Sequence, residues 1–204
     1  MPHATPTVLA LAGLLTLCSG CGQPRPPERR VAARIAWKAG DIVFRKGTGI
    51  ASQAVVNLDH GGTYSHVGIV ILREGVPMVA HAVPGEPDFD GDPDRVKLDS
   101  IDVFFAPDRA CEGAVMRHSD STVAARAAQA ALRAYERHTP FDHDYDDNDT
   151  TRLYCTELVT FAYDRGGGAL AVGQHAVNLP GVTGAVTFPS DLAACPSLRL
   201  IYHF

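Results

Sequence analysis

Two β-rich runs, His66–Leu72 and Pro77–Val83, are separated by only four residues, Arg73-Glu74-Gly75-Val76. A Gly-containing connection that short closes a hairpin, because a parallel crossover needs a dozen residues or more. The chain is therefore expected to build an antiparallel sheet around this pair. Gly40-Asp41-Ile42-Val43-Phe44 adds a strand entered through a Gly-Asp turn, and Val96–Leu98, Ala114–Arg117 and Leu198–Phe204 read as further strands. Ile50–Leu58 predicts a short helix ended by Asp59-His60-Gly61-Gly62. Ser121–His138 is the clearest helix: Ala, Leu, Arg and Gln dominate it, Ser119 or Ser121 can cap it, and His138-Thr139-Pro140 stops it. Cys155–Arg165 is a second strong helix with Leu158, Val159, Ala162 and Tyr163 as its apolar positions and Gly166-Gly167-Gly168 behind it. Strands crowd the first half and the two strong helices the second. That order predicts an α+β domain with a mainly antiparallel sheet packed against helices.

The 204 residues, 46% of them hydrophobic, suffice for one domain with a real core. Net charge is −5 and no Lys/Arg cluster exists beyond Arg29-Arg30, which argues against a nucleic-acid partner. Val8 to Leu17 is too short to span a bilayer as a helix but fits the h-region of a signal peptide over residues 1–20. It runs into Cys18-Ser19-Gly20-Cys21, which resembles a bacterial lipoprotein processing site with Cys21 as the lipidated residue. The expectation is an exported lipoprotein anchored in the bacterial cell envelope through Cys21, or a periplasmic or secreted protein if the signal is cut without lipidation. Gln23-Pro24-Arg25-Pro26-Pro27-Glu28 reads as an extended tether within 21–37, with folded chain starting near Val31 and the recognisable domain over 38–204. A monomer is expected.

The chemistry concentrates on three residues. Cys155 stands at the start of a helix, where the macrodipole and unpaired backbone N–H groups favour thiolate over thiol and can help bind an oxyanion. His66 opens an apolar strand, on which an imidazole needs a polar partner and is the usual base for such a nucleophile. His81 lies in Met78-Val79-Ala80-His81-Ala82-Val83, the strand expected to pair with the one carrying His66, and is placed to fix the tautomer of that base. A lone buried cysteine and a satisfied structural histidine are the ordinary alternatives for Cys155 and His66.

Three blocks, Gly40-Asp41-Ile42-Val43-Phe44, Tyr64-Ser65-His66-Val67-Gly68-Ile69-Val70 and Tyr154-Cys155-Thr156-Glu157-Leu158-Val159, together resemble the YiiX/YebB-like cysteine hydrolases. That family is a circularly permuted branch of the NlpC-type papain-fold superfamily. Histidine before cysteine matches the permuted order, and Pro189-Ser190-Asp191-Leu192 resembles the family's C-terminal segment. The resemblance implies a permuted papain-like fold with Cys155 as nucleophile and His66 as base. The third polar position falls on His81, where relatives of the YiiX type often carry Glu and other superfamily members carry His. Tyr64 and Asp41 are candidates for shaping the site, with a half-buried aromatic and a turn residue as their weightier readings. The implied reaction is acyl transfer through a thioester on an amide bond, in a peptide or a cell-wall stem peptide. A lipid-ester hydrolase or acyltransferase on the same triad, and a non-catalytic surface binding module, are the other readings.

No cofactor and no metal are expected. Asp142 to Asp149 is an acidic loop, and an EF-hand register forced from Asp146 to Glu157 puts Thr151 where Gly is required. Asp88, Asp90, Asp92 and Asp94 read as another solvated loop, and no Cys/His pair has zinc-ligand spacing. Beyond Cys21, the thiols are Cys111, Cys155 and Cys195. An oxidising compartment would favour a Cys111–Cys195 bridge, and two separate buried thiols are the alternative.

Overall fold

The computed structural model describes Met1 and residues 31–59, 61–179 and 182–204. The proposed signal peptide, the lipidation site Cys21 and most of the tether lie outside the described residues. Eight strands form among the described residues: β1 (Ile42–Lys46), β2 (His66–Arg73), β3 (Val76–Val83), β4 (Arg95–Ser100), β5 (Glu112–His118), β6 (His175–Leu179), β7 (Val182–Val186) and β8 (Leu198–His203). Six of them make one sheet in the order β4-β3-β2-β1-β5-β8, with every neighbouring pair antiparallel; β6 and β7 form a separate hairpin. The helices are α1 (Ile50–Leu58), α2 (Ile101–Phe104), α3 (Ser121–Glu136), α4 (Cys155–Arg165) and α5 (Pro189–Ala193). This is the α+β arrangement with a mainly antiparallel sheet. Among the described residues no helix is long and apolar enough to cross a membrane.

The sheet has two buried faces, and strand alternation decides what each carries. Ile42, Phe44, Val67, Ile69 and Ala80 meet the inner stripes of α3 and α4, including Ala127, Ala131, Val159, Ala162 and Tyr163. The opposite face carries Val43, Val70, Val79 and Val115 and is covered by Ile101, Phe104 and Phe105 from α2 and the residue after it. Fully burying one Val- to Phe-sized side chain contributes about 1.5–3 kcal/mol, so this double core is the main source of stability. Glycine is needed at Gly40, where φ is +85° and a Cβ would lie 2.3 Å from the Ala124 carbonyl oxygen. The Tyr163 hydroxyl donates to the Gly40 carbonyl at 2.6 Å, tying α4 to the start of β1.

Several boundaries differ from expectation. Asp120, not Ser119 or Ser121, caps α3: its Oδ1 accepts from the backbone N–H groups of Thr122 (2.8 Å) and Val123 (3.1 Å). Val31 is fully buried against the α2 side of the sheet and residues 32–34 form a short 3-10 turn, so packing is in place at Val31, where the sequence puts the start of folded chain. The short helix α2, the β6–β7 hairpin and α5 have no strong periodic signal, and tertiary contacts define them. The three thiols in the domain are free, Cys111 exposed and Cys195 buried, so no Cys111–Cys195 bridge forms.

Candidate active site

Cys155 is the first residue of α4, with Tyr154 as its N-cap, and is half-buried where the helix end meets the ends of the central strands. The imidazoles arrive from the other face of the sheet. Arg45 pairs directly with His66, His81 with Lys97 and Val79 with Asp99, so all these side chains share the α2 face. The β2–β3 register, with Ile69 opposite Ala80, puts His81 opposite Gly68 and one diagonal step from His66. Gly68 keeps that space open, since a Cβ there would sit 2.5 Å from Val79 Cγ1 and 3.1 Å from His81 Cβ. His66 Nε2 lies 2.9 Å from His81 Nδ1, and His81 Nε2 lies 3.2 Å from Asp99 Oδ2. Phe104 of α2 supports both rings, with centroids 5.7 Å from His66 and 5.2 Å from His81.

The protons in this chain of groups follow from their donor and acceptor capacities. Burial would raise the Asp99 carboxyl, but the hydrogen bond from His81 and the charges of Lys97 and Arg109 outweigh it and hold it below the usual range. An ionised carboxylate only accepts, so His81 Nε2 carries the proton and donates. Burial lowers the pKa of His81, with Arg45 adding to the shift and Asp99 opposing it. The ring is therefore neutral, and its Nδ1 is an acceptor. His66 Nε2 must then be the donor in the bond to His81. Burial, then the positive charge of Arg45, then His81 push His66 well below its ordinary value. Neutral and protonated on Nε2, His66 presents a bare Nδ1, the nitrogen a general base needs.

At Cys155 the helix start, which favours thiolate, is opposed by burial. Burial pushes its thiol up to about 11, against hydrogen bonds from the backbone N–H groups of Val67, Thr156 and Cys155 itself and the charge of Arg45. A helix N-terminus is worth about 0.3–1 kcal/mol on an exposed charge, whereas burial can move a pKa by several units, so burial decides. The resting pair is a neutral thiol and a neutral imidazole.

Both groups line one cavity of about 650 Å³. Its apolar lining comes from α1 (Ala51, Val55, Leu58), Val83, Phe141 and Phe188, and the mutually paired Arg45, Glu86 and Arg109 line it as well. Tyr64 and Asp41 do not line it. Tyr64 stacks at 5.3 Å on Phe44, and buried Asp41 takes two hydrogen bonds from Arg117 (2.6 and 2.7 Å) and one from the Lys38 backbone N–H (2.9 Å). Both are structural, Asp41 because its turn lies at the end of β1 away from Arg45. Asp99 and Arg45 join the site without having been anticipated from the sequence. Asp99 lies just beyond the expected strand Val96–Leu98, and its alternation with Lys97 and Arg95 is the signal that could have found it.

Glu157, in the first turn of α4, is a further unanticipated group. Its Oε2 accepts from the Tyr154 backbone N–H at 3.2 Å, while Oε1 is buried and has no hydrogen-bond partner. Burial, aided by the charges of Asp147, Asp142 and Asp149, pushes its pKa up to about 8. An unfolded glutamate titrates near about 4.3, so the folded state holds a proton that the unfolded state has lost between those values. Its contribution to stability is full below about pH 4, falls as pH rises through 8, and is then constant. A Glu157→Gln variant is expected to unfold at the same temperature as wild type at pH 4 and at a higher one at pH 8.5. Thermal unfolding across that range checks this, and parallel profiles would show the carboxyl to be ionised.

Among the described residues no group of three or more His, Cys, Asp or Glu side chains is arranged to hold a metal ion. In the histidine pair, His81 has both nitrogens committed to hydrogen bonds, so that pair does not present a ligand set. No family model matches this chain, and no curated protein matches it. Among solved structures it is similar to the crystal structure of the metalloprotein yiiX from Escherichia coli O157:H7, with 21% identity and a TM-score of 0.65, over 81% of this chain and 96% of that one. That likeness is one of fold.

Proposed function

We propose that the chain is a cysteine hydrolase of the YiiX-like, permuted papain type, acting by acyl transfer on an amide bond of a peptide or cell-wall stem peptide. The observation that carries this reading is the hydrogen-bonded series His66–His81–Asp99 ending at the cavity that also holds the Cys155 thiol. His66 Nδ1 takes the thiol proton as sulfur attacks the carbonyl carbon, giving a tetrahedral intermediate next to the N–H groups at the start of α4. The imidazolium then protonates the leaving amine as the C–N bond breaks, and a thioester remains on Cys155. Water, deprotonated by His66, attacks the thioester, releasing the acid and restoring the thiol. The fold shared with yiiX supports the YiiX-like part of this reading, and the order of His66 before Cys155 in the chain supports the permuted part. Export and lipidation at Cys21 belong to the same proposal and would place the substrate in the cell envelope.

The apolar walls of the cavity favour a second reading, in which the acyl group is a lipid ester. The same thioester forms on either reading, and p-nitrophenyl octanoate probes it. Mass spectrometry is expected to find one octanoyl adduct, on Cys155 and labile to hydroxylamine, formed together with an equal burst of nitrophenolate. Acylation at exposed Cys111 in its place, or no adduct at all, would remove the basis for acyl transfer.

A further inference from the structure

The charged cluster on the cavity wall is built around a buried cation. Arg45, on β1, is only 3% exposed. Its Nη1 donates to the Phe104 carbonyl at 3.1 Å and its guanidinium lies 4.8 Å over the Phe104 ring. Its carboxylate partner is Glu86, whose Oε1 pairs with Arg45 while Oε2 takes Arg109 at 2.8 Å. Glu86 belongs to the loop that leaves β3 through Gly85, at φ +71°, and its side chain is 22% exposed. The loop backbone is fixed separately, Lys97 Nζ donating to the Glu86 carbonyl at 2.6 Å. Rotation of the Glu86 side chain would free Arg45 of its carboxylate partner and Arg109 of one of two, since Arg109 Nη1 also donates to Asp99 Oδ2 at 3.1 Å. Asp108, the other acid on the cavity wall, is exposed, and its backbone carbonyl accepts from the Thr48 hydroxyl at 2.6 Å.

We propose that Arg45 and Arg109 form a carboxylate subsite for the leaving-group side of the substrate, and that Glu86 occupies it until substrate binds. The bond broken would then belong to an N-acyl amino acid, with its acyl group along the apolar walls and its carboxylate on the two arginines. This assignment rests on the acyl-transfer reading only for which bond lies between the two ends. Glu86 shows the shape the subsite accepts: one carboxylate, each oxygen taking a separate guanidinium. A buried arginine left without an acid is costly, so an internal acid that a substrate acid can replace keeps the empty site folded. The subsite is also close to the chemistry, since the charge of Arg45 acts on both Cys155 and His66.

The probes are N-hexanoylglycine and the neutral N-hexanoylglycinamide, titrated calorimetrically into the full-length Cys155→Ala protein, which cannot turn them over. The acid is expected to bind at least about ten-fold tighter than the amide. Glu86→Gln should tighten the acid further without changing the amide, and Arg109→Ala should remove the preference while the protein remains folded by thermal unfolding. Equal affinities, failure of both probes to bind at millimolar concentration, or a preference indifferent to both substitutions would overturn the subsite. Release of hexanoate by the wild-type protein is read separately. Preference without release leaves the subsite standing and counts against the hydrolase, whereas release without preference does the reverse.

Discussion

A Cys155→Ala variant is expected to keep its fold and lose catalysis of the thioester-forming step by about 10⁴-fold or more in kcat/KM. The substitution removes one sulfur from a half-buried position beside an open cavity, so packing changes little and thermal unfolding should shift by no more than a few degrees. What disappears is the nucleophile, and Cys155 is the only cysteine among the residues that line the cavity. Cys111 is exposed and its Sγ lies 3.3 Å from the Lys46 carbonyl, Cys195 is buried among the α3 side of the core, and Ser65 Oγ is engaged with the Gly47 backbone N–H at 2.9 Å. Cys155→Ser should also be severely impaired, because a hydroxyl is a far weaker acid than a thiol already raised by burial. Comparing steady-state turnover of wild type and both variants on p-nitrophenyl octanoate and on N-acyl amino acids is the measurement. Unchanged turnover in Cys155→Ala would place any activity elsewhere in the molecule.

The pieces of this site differ in how far the sequence reveals them. Cys155 and His66 are legible because each opens a strongly patterned element, and the helix Cys155–Arg165 forms with the boundaries its apolar positions imply. His81 follows from the short hairpin, which leaves β3 no neighbour nearer in sequence than β2. Asp99 depends on β4 lying beside β3, a pairing across a loop of Pro, Asp and Gly whose register no local pattern specifies. Arg45 looks like a polar strand end after Ile42-Val43-Phe44 and is found buried because α2, itself too short to announce itself, covers that face. The protonation state of Cys155 escapes the sequence for a related reason. Helix position is written in the residues, but the depth at which the helix end is packed is set by the whole fold, and here depth outweighs the dipole.

Replacing Asp99 with Asn is expected to lower kcat by about 10–10²-fold at neutral pH through loss of charge, with the tautomers kept. In the wild type, the Asp99 carboxylate takes the His81 Nε2 proton, His81 Nδ1 takes the His66 Nε2 proton, and His66 Nδ1 is left bare. Asp99 Oδ2 accepts from both His81 Nε2 (3.2 Å) and Arg109 Nη1 (3.1 Å), while Lys97 Nζ lies 3.8 Å from Oδ1. In Asp99→Asn the amide oxygen takes the Oδ2 place, because an NH₂ there would face the Arg109 cation. His81 Nε2 then still donates, and His66 keeps its proton on Nε2. What is lost is the carboxylate charge that stabilises the imidazolium formed when His66 takes the thiol proton. Asp99→Ala removes the acceptor as well, leaves the His81 tautomer unset and should retain less activity than Asp99→Asn. Two-dimensional ¹⁵N spectra of the imidazoles at pH 7 would read the tautomers directly, with Nε2–H on His66 in both wild type and Asp99→Asn. An Asn variant as active as wild type, or an Ala variant as active as the Asn one, would mean that Asp99 supports the fold without setting the base.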